Sequence, residues 1–276
     1  MGVEMSVIAA VNLKGGVGKT STVLHLCGAL AQGGRRILAV DADPQSSLTA
    51  GFFGIDEARA LDPSLTIAAV LGGDDPFPEA VIRRTSFDRI SLLAGSRHAV
   101  GFNVPHPHLA AYEEQVRLRD FLAQVRDDFD LILIDCPPNL HACSWAAMAA
   151  ADGLLVPVQP ENFGSQGTVD VLESAAAVRA TINPDLGPAW FVVSMLQARR
   201  AIHQAFVDGL RAGHGEAVFA ASIPEAVDFV EAVVALKPLC YHKPKGAASK
   251  AVKAVADELL SRLERSALGP AIGEAA

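Results

Sequence analysis

A doubly wound α/β fold, a mostly parallel sheet flanked by helices, is what this chain of 276 residues predicts. Three observations carry the prediction. Short apolar runs alternate with helical patterns along the chain, as strand–helix–strand units require. Several runs, such as Leu131–Asp135 and Gly153–Val158, are polar-free through their middles, as in strands covered on both faces. A glycine-rich turn joins the first run to the first helical stretch.

In chain order the predicted strands are Val7–Asn12, Ile37–Asp41, Ile90–Leu93, Leu131–Asp135, Gly153–Val158, Phe191–Ser194 and Val218–Ser222, each of strand length and rich in aliphatic residues. Helical patterns lie between them at Ser21–Gln32, Leu109–Arg126, Gly164–Thr181 and Ile202–Arg211. Near the end, Val252, Val255, Leu259 and Leu263 recur at helical spacing and read as a stripe packed on the core. The stretch Leu61–Pro78, with its prolines and GGDDP cluster, reads as a surface excursion. No repeat or shift in composition divides the chain, so residues 1–276 are expected to form one domain, ending in a tail over 263–276.

Composition narrows the function classes. Half the residues are hydrophobic and 20% charged, which excludes intrinsic disorder. A net charge of −8 leaves any nucleic-acid contact to a local patch. No run approaches the ~20 apolar residues of a membrane span, and no basic segment precedes an apolar one at the N-terminus. A cytoplasmic protein is expected. Four scattered cysteines read as small apolar residues. The pair His106 and His108 reads as part of a proline-stiffened loop, and Trp145 as a packing anchor.

The chemistry begins at Lys14-Gly15-Gly16-Val17-Gly18-Lys19-Thr20, followed by Ser21. Strand, glycine turn and helix are the context of a phosphate loop. Backbone N–H groups cradle phosphate oxygens, the helix dipole adds to them, Lys19 reaches the β- and γ-phosphates, and Thr20 ligates Mg²⁺. Leu13 stands where the general pattern has its first glycine, and Lys14 opens the loop instead. An aspartate ending a buried strand faces the ligand crevice, which marks Asp135 and the Asp41–Asp43 pair, although D-x-D-P also makes a strand terminator.

This loop, with Val40–Gln45, Leu131–Pro138 and Val156–Glu161 in the same order, resembles the deviant Walker A P-loop ATPases of the ParA/Soj/MinD family over roughly residues 6–262. The resemblance is strongest to small ParA proteins, and it implies ATP and Mg²⁺ as cofactors. It implies that Asp135 holds the metal through a water, that Asp43 orients the attacking water, and that Asp41 serves the metal shell or a switch. Lys14 would reach the phosphates of a partner in an ATP-dependent homodimer. Adenine would lie against Met195 and Pro224, although Glu225 and Ala226 replace the family's usual Arg-Asn.

Three tasks fit such a switch. A partition or positioning ATPase would bind DNA nonspecifically, associate with the nucleoid, and release when a ParB-like adaptor stimulates hydrolysis. Its sequence support is a stretch from Ala232 to Ala256 with five lysines and no acid, including Lys243, Lys245 and Lys250, which Arg199 and Arg200 would widen. A MinD-like ATPase would need a basic amphipathic C-terminal helix, which the tail lacks, so stable membrane binding is not expected. A metabolic or assembly ATPase of the same superfamily is the third. The chain starts close to the loop, so no N-terminal DNA-reading domain is expected.

Overall fold

Strands buried on both faces can satisfy their backbones only through one another, and the apolar runs pair accordingly. The computed structural model describes residues 6–161 and 164–267. The strands are β1 (Ser6–Ala10), β2 (Ile37–Asp41), β3 (Ile82–Arg84), β4 (Ile90–Leu93), β5 (Leu131–Asp135), β6 (Gly153–Val158) and β7 (Ala189–Val193). They form one sheet in the order β3-β4-β2-β5-β1-β6-β7, parallel except for β3. Its register sets Asp41 level with Asp135, and Asp135 level with Ala10, so both acids end beside the glycine turn.

The helices are α1 (Lys19–Gln32), α2 (Ser47–Phe53), α3 (Ile55–Ala60), α4 (Ile67–Gly72), α5 (Pro78–Val81), α6 (Tyr112–Ala123), α7 (Ala142–Ala150), α8 (Gly164–Thr181), α9 (Ala201–His214), α10 (Val227–Val234), α11 (Leu239–His242) and α12 (Ala247–Ala267). One core layer sets Val40, Ile132 and Val156 against residues of α6, α7 and α8. The other sets Ile8, Ile37 and Leu133 against α1 and α12, with Val252, Val255, Leu259 and Leu263 buried as the stripe predicted. Close fit governs the second layer: a Cβ on Gly28 of α1 would stand 2.3 Å from Pro238 Cβ and 2.9 Å from Cys240 Sγ.

The structure differs from the sequence expectations at four places. Leu61–Pro78 is not only a surface excursion, because α4 within it buries Ile67, Val70 and Leu71. No strand forms over Val218–Ser222; a single bridge joins Val218 to Phe191. The physical reason is Glu258, whose carboxylate takes the N–H groups of Ala220 and Ala221 at 3.0 and 2.9 Å and so interrupts the ladder. The antiparallel edge β3 was not expected; its three residues, one apolar, are too short to show a period. The predicted tail over 263–276 is helical through Ala267, and residues 268–276 lie outside the described residues.

Candidate functional site

The glycine turn sits between β1 and α1. Gly16 and Gly18 have φ of 79° and 84°, a region that side-chain-bearing residues rarely adopt. Gly18 is also the residue from which α1 starts. Leu13, in place of the pattern's first glycine, packs against the core instead. Just before it, Asn12 is buried, donates to the Pro157 carbonyl at 2.8 Å and accepts from Lys14 N–H at 3.0 Å, fastening the loop to β6.

Lys19 is 7% exposed, and its ammonium donates to the Lys14 carbonyl at 3.1 Å. Burial lowers its pKa, against the pull of Asp135, Cys136 and Asp43. Asp135 is fully buried, and neither carboxylate oxygen meets a donor in good hydrogen-bond geometry, the Thr20 hydroxyl being the near one. Burial raises its pKa well above the ordinary value and the charge of Asp41 adds to this, while Thr20 and Lys19 oppose it. A buried carboxylate with unused acceptors, between a lysine and a threonine, is a donor set that suits a hard cation.

Asp41 behaves differently. Its Oδ2 accepts from the N–H and the hydroxyl of Thr49, both at 2.7 Å, and its Oδ1 faces Asp43 N–H at 3.3 Å. Burial raises its pKa against those hydrogen bonds. The Thr49 hydroxyl in turn accepts from Gly95 N–H at 2.7 Å, so Asp41 braces β2 to α2 and to the segment after β4. Asp43 accepts from Gln45 N–H at 2.9 Å, the turn chemistry that D-x-D-P offers, and stands at 9% exposure on the same rim.

On the other side of the loop, Met195 takes a positive φ of 53°, and its Cε lies 3.6 Å from where a Gly18 Cβ would be. Leu196 bridges to Pro224, so Met195 and Pro224 flank one end of the crevice. The side chains of Gln197 and Glu225 hydrogen-bond there. Lys14, the residue assigned to a partner's phosphates, is ion-paired with Glu161, just beyond β6.

The basic patch comes apart. Lys243 is held by Asp228 at 2.6 Å and by Glu231, so it is not the free cation that the run from 232 to 256 suggests. Both acids precede that run in sequence, and folding brings α10 back against α11. Lys245, Lys250, Arg199 and Arg200 are exposed. His106 and His108 meet edge to face, Trp145 donates to Gln115 at 2.8 Å, and no group of three metal-ligating side chains occurs among the described residues. Sequence reasoning missed Asn12, Thr49 and Glu161 as site residues; Glu161 alone left a signal, as the acid closing the Val156–Glu161 motif.

Comparison with known proteins agrees with this geometry. A family model described as an AAA domain matches residues 5–187. The chromosome partitioning protein ParA of Caulobacter vibrioides is 34% identical over 94% of this chain and 95% of its own. The chromosome-partitioning ATPase Soj of Thermus thermophilus is 34% identical over 94% and 97%. Cobyrinic acid a,c-diamide synthase from Mycobacterium smegmatis, solved with ADP and magnesium, superposes with a TM-score of 0.78 at 28% identity, over 95% of this chain and 96% of that one. No helix among the described residues is long and apolar enough to cross a membrane. With phosphate loop, paired acids and sheet order in place, the chain belongs to the ParA/Soj family of P-loop ATPases.

Proposed function

We propose that the protein is an ATP-switched dimer that binds DNA without sequence preference and leaves it when a partner protein stimulates hydrolysis. The observation that carries the ATPase part is the orphaned Asp135 carboxylate beside Thr20 and Lys19 at the glycine loop. The N–H groups of residues 15–20 and the Lys19 ammonium bind the phosphate chain, with Ser21 continuing the cradle into α1. Thr20 and Asp135, the latter through water, would hold Mg²⁺, and the bound ion would supply positive charge to the phosphates. Asp43, poised on the rim, orients the attacking water. Asp41, committed to Thr49, keeps that rim in register and acts as a switch brace. Met195 and Pro224 flank the base.

Lys14 supplies its charge in trans. In the isolated chain it is paired with Glu161, so the dimer has to exchange that carboxylate for the partner's phosphates. Lys14→Ala should therefore lose dimerisation or hydrolysis while keeping part of its nucleotide affinity.

For DNA, exposed Lys245, Lys250, Arg199 and Arg200 supply the cations, and Lys243 joins only if its two acids release it. The test is a mobility shift with random-sequence duplex, comparing no nucleotide, ADP, and ATP with Asp43→Ala, at two salt concentrations. Retardation with ATP alone that fades in high salt supports the proposal. No retardation in any state refutes the DNA role and leaves the ATPase reading in place.

A further inference from the structure

A phosphate loop presents N–H groups to its anion and must keep its carbonyl oxygens turned away. Three carbonyls of this loop have identified donors. Lys14 carbonyl accepts from Lys19 Nζ at 3.1 Å, Gly18 carbonyl from Thr22 N–H at 2.8 Å, and Val17 carbonyl from Ser194 Oγ at 2.7 Å. The first two donors belong to the loop's own helix. The third stands 177 residues away, just past β7.

The Ser194 hydroxyl has one proton and two carbonyls within reach, Val17 at 2.7 Å and Val158 at 3.2 Å. Val17 is the nearer of the two, and Val158 already accepts Ser194 N–H at 2.8 Å, so the hydroxyl proton goes to Val17. Ser194 is 2% exposed and Val17 1%, so water does not compete for this bond. Ser194 Cβ also stands 4.0 Å from where a Gly18 Cβ would be, which places the residue directly against the loop.

We infer that Ser194 is a positioning residue of the phosphate loop: its hydroxyl holds the Val17 carbonyl out of the anion cradle, fixing the loop with its N–H groups inward before nucleotide arrives. The inference rests on the proposed function, which takes the anion to be the phosphate chain of ATP. It requires that the hydroxyl matter to ATP and ADP alike, because both place phosphates in the loop.

Calorimetric titration of Mg-ATP and Mg-ADP into wild type, Ser194→Ala and Ser194→Thr tests it, the fitted stoichiometry counting only folded sites. Ser194→Ala should bind both nucleotides about tenfold more weakly, the loss of one buried hydrogen bond with its acceptor stranded. Ser194→Thr, which keeps the donor, should restore affinity to within about twofold. Equal affinity of Ser194→Ala and wild type overturns the inference, as does a Ser194→Thr protein as weak as Ser194→Ala. Wild type without affinity for ATP would refute the nucleotide reading itself, and this inference with it.

Discussion

His25 sets a pH limit on the stability of the fold. It lies on α1, 1% exposed, with Nδ1 accepting Leu239 N–H at 3.0 Å, Nε2 without a partner, and its ring 5.1 Å from that of Phe229. Burial pulls its pKa from 6.5 to about 4. The folded state therefore binds the proton more weakly than the unfolded chain does. The neutral ring's contribution is present above pH 6.5 and is lost as pH falls toward 4. Between pH 7 and pH 5 the linkage relation gives a loss of about 2 kcal/mol from this one residue. Other groups titrate over the same range, so the measurement is a difference. His25→Gln keeps an acceptor for Leu239 N–H and removes the titration. Urea unfolding followed by the fluorescence of Trp145 and Trp190, at pH 7 and pH 5, should show the variant losing about 2 kcal/mol less than wild type. An equal loss in both proteins would refute the reasoning.

Further outcomes follow from contacts already described. Gly28→Ala drives a Cβ into Pro238 and Cys240 and should cost about 3 kcal/mol, a fall in Tm of roughly 6–12 °C by calorimetry. Thr49→Val leaves Gly95 N–H buried without an acceptor and strips Asp41 of a charge-assisted bond, costing about 3 kcal/mol or more in urea unfolding; Thr49→Ser should recover most of it. Lys243→Ala breaks two solvent-screened ion pairs at the surface and should leave the urea midpoint indistinguishable from that of wild type in the same assay.

The sheet was legible because its central strands are continuous apolar runs, and Gly164–Thr181 forms a helix over the span its pattern predicts. The phosphate loop was legible because its backbone demands glycine at fixed places. Contacts that depend on distant parts of the chain left no such mark. Glu258 suppresses a strand whose residues alone favour one. Asp228 and Glu231 pair with Lys243 although both lie before the acid-free run that contains it. Ser194 ends a predicted strand, and nothing local pairs its hydroxyl with Val17 until folding sets the two side by side. Periodicity and local geometry are written along the chain, whereas charge balance and hydrogen-bond partners are settled by tertiary structure.

The margins of the sheet bear on how such a molecule can assemble. On one side it ends in the three-residue β3, which carries Arg83 and Arg84 and runs against the direction of its neighbour. On the other, the Val218–Pro224 segment lies along β7, held by isolated bridges, with two of its amides taken up by Glu258. A short, cationic border and a border whose donors are engaged from within offer little template to a foreign strand. Copies of this chain are thereby steered away from joining sheet edge to sheet edge into ribbons, and the carboxyl ends of the strands, where the glycine turn and the paired acids lie, are left clear of such stacking.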